Sequence, residues 1–273
     1  MGLSRLVPFV VVLAVAACTS APAPTDPAPP TRSTTTTSPP AAPSWVVGAQ
    51  PLPLRPDGYG QVLPTPKPLV NRRLPTIDRL PTPRSDRYRS AVRPVPGDVL
   101  ARSTWRGDCP VSVSELRYLT MSFRGFDGRT HTGEMIVNRS AAAPVTRVFK
   151  ILYAAGFPIE EMRVVARSEL DAAPTGDGND TTAFVCRPAV GLDRWSAHAR
   201  GLAIDVNPFH NPYVRGDLVL PELASSYLDR SRARPGMINA GDVVVRAFAA
   251  IGWKWGGEWS EPVDLQHFSA TGD

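Results

Sequence analysis

From Leu116 to Asn138 apolar and polar residues alternate in two runs. Leu116-Arg117-Tyr118-Leu119 leads through Met121 and Phe123, and Thr132 to Asn138 carries Met135, Ile136 and Val137. Gly125-Phe126-Asp127-Gly128 between them is a turn signal, so the stretch predicts a β-hairpin. The period then changes. Val145, Val148, Phe149, Leu152 and Tyr153 recur at helical spacing and stop at Gly156 and Pro158, which predicts an amphipathic helix. Val164-Val165 suggests a short strand, and Ala172 to Thr182, rich in Gly, Asp, Asn and Thr, a loop. Leu202, Ala203, Ile204 and Val206 form an apolar run short enough to be a buried strand. Asp242 to Ile251, with an aspartate at its start and Gly252 after it, predicts a second helix. Strands, helices and strands in blocks point to an α+β domain with a small antiparallel sheet flanked by helices.

Composition sets the boundaries. Of the 30 prolines in 273 residues, 19 fall between Pro22 and Pro96. Proline donates no backbone hydrogen bond and fixes φ, so that region is unsuited to helix or sheet interiors. Three parts are expected: 1–17, 18–97 and 98–273. The first has Arg5 and then an apolar run through Val10-Val11-Val12-Leu13-Ala14, too short to span a bilayer and laid out as a signal peptide. It ends Val15-Ala16-Ala17-Cys18, which resembles a bacterial lipobox, in which Cys18 receives lipid and anchors the chain to the membrane. Ordinary cleavage nearby, with Cys18 lost or free, is the other reading. The second part is expected as a disordered, Pro-rich spacer of polyproline character. Trp45-Val46-Val47 and Leu74 to Leu80 carry the alternative reading, segments of the spacer that dock on the domain. The third is the size of one ordinary domain with a real core.

The net charge of +5 belongs to the spacer. From Asp98 onward there are 19 Lys and Arg against 21 Asp and Glu, which leaves −2. The spacer carries Arg32, Arg55, Lys67, Arg72, Arg73, Arg79, Arg84, Arg87, Arg89 and Arg93 against four aspartates. Basic tails often meet nucleic acid. On an exported chain, anionic headgroups or wall polymers are the expected counterpart instead, or the charge serves solubility alone. No nucleic-acid partner is expected, and the domain is expected to act as a monomer.

Candidate chemistry gathers between Ser196 and Tyr213, reading S-A-H-A-R-G-L-A-I-D-V-N-P-F-H-N-P-Y. His198 and Asp205 suit a divalent metal, and a carboxylate inside an apolar run is costly without an offsetting charge. Gly201 lets the backbone pass close to a neighbour. The tail adds Asp264-Leu265-Gln266-His267. Two histidines and a carboxylate leave one position of a tetrahedral zinc open, the pattern of a catalytic site. Asp264 is then placed to act as general base, or as the hydrogen-bond partner of a histidine. A lone histidine near an apolar strand is more often a hydrogen-bonded core residue than a ligand. With Cys18 set aside, Cys109 and Cys186 make an even pair in an exported protein, read as a disulfide, with zinc ligation as the alternative.

These residues carry a resemblance. S-x-H-x-x-G-x-A-x-D, N-P, N-P-Y, W-G-G-x-W, D-x-x-H-F and the F-x-C-R at Phe184 to Arg187 together resemble the VanY-type zinc D-alanyl-D-alanine carboxypeptidases. That family includes L-alanyl-D-glutamate endopeptidases and shares its fold with the zinc domain of hedgehog proteins. The similarity covers roughly Cys109 to Phe268. It implies a zinc peptidase acting on peptidoglycan stem peptides, most simply removing a terminal D-alanine. Cleavage inside the stem, or wall binding without turnover, are the alternatives. The resemblance makes His198, Asp205 and His267 the zinc ligands, Asp264 the base and Arg187 the oxyanion donor, a role suited to a permanently charged guanidinium. Arg187 has a second reading as the ion-pair partner of Asp193 or Asp180. Ser196, Trp255 and Trp259 are expected at the substrate, with Trp253 in the core and His131 and His210 structural or solvated. Arg200 stands where many relatives have an aromatic residue, and Asp264 where some have glutamate.

Overall fold

The computed structural model describes residues 45–272. Its centre is the expected hairpin, β2 (Leu116–Arg124) paired with β3 (Thr130–Asn138) from Leu116 opposite Asn138 to Arg124 opposite Thr130. A third strand, β1 (Ser90–Arg93), lies along the outer edge of β2. Both faces of β2 and β3 are covered, and the period of two sorts their side chains. Leu119, Met121, Phe123, Met135 and Val137 point to one core, while Leu116, Tyr118 and Ile136 point to another.

The first core is closed by α2 (Ala142–Ala154) and α3 (Val243–Ala249). Val145, Val148, Phe149 and Leu152 are buried on α2, as their spacing predicts. Helix α3 starts where Asp242 accepts hydrogen bonds from the backbone of Val244 and Val245, a cap that serves the otherwise unpaired first-turn N–H groups. The second core packs against α1 (Gly97–Arg102), Val164 and Phe184. Cys109 and Cys186 form a disulfide there, as the cysteine count suggested.

Short strands complete the domain. A parallel pair joins β4 (Glu161–Met162) to β5 (Asp180–Thr181). Two three-stranded sheets follow from β6 (Ala203–Asp205), β7 (Tyr213–Arg215), β8 (Leu218–Leu220), β9 (Lys254–Trp255), β10 (Val263–Asp264) and β11 (His267–Ser269). Their orders are β6-β11-β9 and β10-β7-β8. The strand expected at Val164-Val165 lies instead at β4, because Asp180 Oδ1 accepts the Arg163 N–H and ends the ladder there. Among the described residues no helix is long and apolar enough to cross a membrane.

The boundary at 98 is corrected by the structure. Residues 45–96 wrap the domain as a strap. Trp45 Nε1 donates to Asp177 at 2.8 Å, Leu52 N–H to the Pro174 carbonyl at 2.8 Å, and Gly60 N–H to Glu222 Oε1 at 2.8 Å. Leu69 is fully buried and Arg72 is 1 % exposed. Arg72 forks onto Glu160 at 2.7 and 2.5 Å, donates to the Asp177 carbonyl at 2.7 Å and lies 4.5 Å over the Phe209 ring. A proline-rich chain serves well here, since an extended strap meets its neighbours through scattered N–H groups and anchors rather than a continuous ladder. The signal segment, Cys18 and the first half of the spacer lie outside the described residues.

Candidate metal centre and cleft

His198 sits on a single 3-10 turn, His198–Arg200, that ends at Gly201 with φ +66°. A Cβ on Gly201 would meet the Asn138 backbone nitrogen at 2.5 Å. That is the close approach the glycine permits: the end of β3 passes against the turn, and Asn138 N–H donates to the Gly201 carbonyl at 2.8 Å. Ser196 Oγ accepts the Ala199 N–H at 3.2 Å and donates to the Arg187 carbonyl at 3.0 Å. Ser196 therefore holds the turn and joins it to Arg187.

Asp205 and His267 are brought together by strand register, standing directly opposite each other on β6 and β11. The loop leaving β6 is held by two asparagines. Asn207 takes a left-handed conformation, φ 45°, and its amide bonds the Pro158 carbonyl and the Glu160 N–H. Asn211 accepts the Ile238 N–H at 2.7 Å and donates to the Val206 carbonyl at 3.0 Å.

Three atoms converge at this point. His198 Nε2 lies 3.2 Å from His267 Nδ1 and 3.2 Å from Asp205 Oδ1, and His267 Nδ1 lies 3.1 Å from Asp205 Oδ1. His198 Nδ1 meets the Ala183 carbonyl at 2.6 Å. A carbonyl only accepts, so Nδ1 carries the proton and Nε2 of the neutral ring keeps its lone pair. Zinc bound tetrahedrally at about 2.0–2.1 Å spaces its ligands about 3.3 Å apart. The triangle of two imidazole nitrogens and one carboxylate oxygen fits that ion, and the set leaves a position for a reactant. Burial alone would raise the Asp205 carboxyl, but positive charge on the two imidazoles and the hydrogen bonds they then donate outweigh it and hold it well below the usual range, the sense in which a bound cation would also act.

Asp264 faces the same space from β10, opposite Tyr213 on β7. Its Oδ1 is buried, and no hydrogen-bond donor meets it among the described residues. Burial, reinforced by the negative charge of Asp205, pushes this carboxyl up to about 7, against the opposing pull of His267, Gln266 and Arg187. A carboxyl poised near neutrality beside a metal triangle is suited to moving protons.

A cleft of about 600 Å³ opens over these groups. Its walls include Arg187, Trp259, Tyr213, Gln266, Gly178 and Glu222. Trp259 is half-buried, lines the cleft and has its ring 5.4 Å from that of His267. Trp255 is corrected. It is buried, donates Nε1 to the Leu265 carbonyl at 2.9 Å and stacks beside Phe268, so it is core. An indole placed there has its large apolar area and its one donor both used inside. Trp253 is core too, packed against Phe248. Arg187 donates to the Pro188 carbonyl at 3.1 Å, whereas Asp180 takes the charge of Arg163. Arg200 is exposed and outside the cleft, so its charge does not replace an aromatic beside the metal. His131 and His210 are buried and structural: His131 lies between Asp78 and Asp127, and His210 lies between Asn179 and the Arg72 carbonyl. The loop Ala189 to Leu192, Tyr213, Gln266 and Glu222 were missed as cleft residues. N-P-Y and D-x-x-H placed two of them inside motifs; nothing in the sequence signals the others.

The donor set, two histidines and a carboxylate with a further carboxylate beside them, is of the kind that can hold a hydrolytic metal in metallopeptidases. Within that class, residues 190–270 match the family model described as D-alanyl-D-alanine carboxypeptidase, a family of zinc-dependent metallopeptidases. The match bears out the resemblance read in the sequence, and its span contains the whole triangle and Asp264. Neither the curated proteins nor the solved structures include a match to this chain.

Proposed function

We propose that this chain is a zinc peptidase of peptidoglycan stem peptides that removes the terminal D-alanine. The observation that carries the reading is the His198–Asp205–His267 triangle with the unpaired Asp264 Oδ1 beside it, all inside the matched segment. His198, Asp205 and His267 would hold the zinc, which when bound supplies Lewis acidity toward water and the amide carbonyl. Asp264 takes the proton of the attacking water and delivers one to the leaving amine, a double duty suited to a carboxyl that burial raises above the usual range. Arg187 offers a fixed, charged donor fork to the oxygen on which negative charge develops. Trp259 gives the peptide an apolar wall, and Ser196 keeps Arg187 and His198 in register. We further propose that the mature chain is exported and lipid-anchored at Cys18, so that the site faces the wall.

The test is to incubate the purified, zinc-loaded full chain with a muropeptide pentapeptide and read the products by mass spectrometry. Loss of one alanine is expected. Internal cleavage would make the protein an endopeptidase of the same class, and absence of any product with zinc bound would favour a wall-binding role.

A further inference from the structure

None of the strap's arginines lines the cleft. Several of them gather instead against α2. Tyr88 fixes the strap there: its hydroxyl donates to the Thr146 carbonyl at 2.6 Å, and its ring lies 5.7 Å from that of Tyr153. Thr146, Lys150 and Tyr153 follow one another on α2 at spacings of four and three, so Lys150 lies on the row that carries the strap. Arg87 and Arg89 flank Tyr88, Arg84 precedes them, and Arg147 follows Thr146. All five cations are exposed.

These charges are uncompensated. No ion pair or side-chain hydrogen bond joins Arg84, Arg87, Arg89, Arg147 or Lys150 to another described residue. Neither α2 nor β1 contains an acidic residue. The one carboxylate within 84–93, Asp86, is held by Arg124 and by the Thr130 and Tyr153 hydroxyls. Like charges side by side repel one another, and an anionic partner relieves that repulsion.

Apolar side chains decide which anion fits. Ile151, one turn on from Arg147 along α2, is 44 % exposed, and Val92 on β1, which packs on α2, is 45 % exposed. Cations with apolar side chains between them suit the boundary of a bilayer, where the charges meet headgroup phosphates and the apolar groups enter below them. A soluble polyanion would engage the charges alone.

We propose that this face, residues 84–93 with the outer side of α2, docks on the anionic lipid headgroups of a membrane. The inference does not depend on the peptidase reading and is separate from the lipid proposed at Cys18.

The test uses the chain from residue 18 onward with Cys18→Ser, which keeps every described residue and carries neither the apolar leader nor a lipid. Binding is measured by co-sedimentation with phosphatidylcholine vesicles, with and without phosphatidylglycerol, at low and high salt. Binding to the anionic vesicles alone is expected, and salt should weaken it, since exposed charges are screened beyond about 8 Å at physiological ionic strength. A Lys or Arg at such a surface contributes about fivefold in affinity. Arg87→Gln with Lys150→Gln should therefore weaken binding by about 25-fold, and Arg84→Gln with Arg89→Gln by about the same factor. Ile151→Ser should weaken it while leaving its salt dependence unchanged. Zinc content and melting temperature check that each variant is folded, and either double variant decides if the other is not. Equal binding to neutral and anionic vesicles, or none to either, overturns the proposal. So does a folded double variant that binds like its parent. Retention on soluble poly(glycerol phosphate) without binding to the vesicles overturns it in favour of a wall polymer.

Discussion

Two buried polar clusters, each containing histidine, sit a few residues apart in this chain and have opposite characters. In one, Arg72, Glu160, Asn179 and His210 satisfy one another. Arg72 spends its fork on Glu160 and a carbonyl, Asn179 donates to Glu160 at 2.9 Å, and His210 Nε2 meets the Arg72 carbonyl at 3.1 Å. Burial pushes the His210 imidazole down to about 3, so it is neutral at any ordinary pH. In the other, His198 Nε2, Asp205 Oδ1 and His267 Nδ1 converge within 3.2 Å of one another, and Asp264 Oδ1 has no donor among the described residues. Donors matched to acceptors make a rivet. Ligand atoms that converge on one point beside a buried carboxylate oxygen make a candidate metal site.

The harshest way to break the rivet is to cut the chain at residue 98, as composition alone would suggest. That removes β1 and the strap, and with them the Arg72 fork on Glu160 and the Trp45 and Gly48 donors to Asp177. Breaking a buried ion pair costs about 3–5 kcal/mol, a large share of the whole stability of a domain, about 5–15 kcal/mol. The 98–273 chain should therefore show no cooperative thermal transition by circular dichroism. A melt matching that of the full chain would show that the strap is dispensable.

Within the site, two variants separate binding from chemistry. His198→Ala should lose both zinc, measured by elemental analysis, and all turnover. Asp264→Ala should keep its zinc while kcat falls by about 10²- to 10⁴-fold, the range for removing a general acid–base group. An Asp264→Ala enzyme with unchanged kcat would remove the base assignment and leave the metal triangle intact.

The gentlest contrast uses pH. His210 has a folded pKa near 3 against an ordinary value of 6.5. The unfolded chain therefore binds the extra proton between these values. Its contribution to stability is complete above pH 6.5 and declines by about 1.4 kcal/mol per pH unit as the pH falls towards 3. Denaturant melts of wild type and His210→Asn across that window should differ in slope by that amount, the variant being flatter. Parallel slopes would mean that the ring is hydrated and not part of the rivet.

Much of this was legible beforehand for local reasons. The hairpin at 116–138, the helix through Phe149 and the capped helix after Asp242 announce themselves by period and turn chemistry, which neighbours in sequence decide. The candidate ligands were visible because D-x-x-H and a carboxylate in an apolar run are anomalies of residue type. Trp255 and Trp259 show where that kind of reading stops. They flank the same two glycines, yet one stacks in the core against Phe268 and the other stands over His267.

By itself the sequence determined the period of each element, the pairing of its two domain cysteines and the donor types available to a metal, all of which follow from residue chemistry at short range. Only the tertiary structure decided that Asp205 and His267 stand opposite each other, that Asp264 Oδ1 is left unpaired, and that a proline-rich strap drives Arg72 into the core. Those depend on contacts between residues dozens to more than a hundred positions apart, where register and burial, rather than residue type, set the energy.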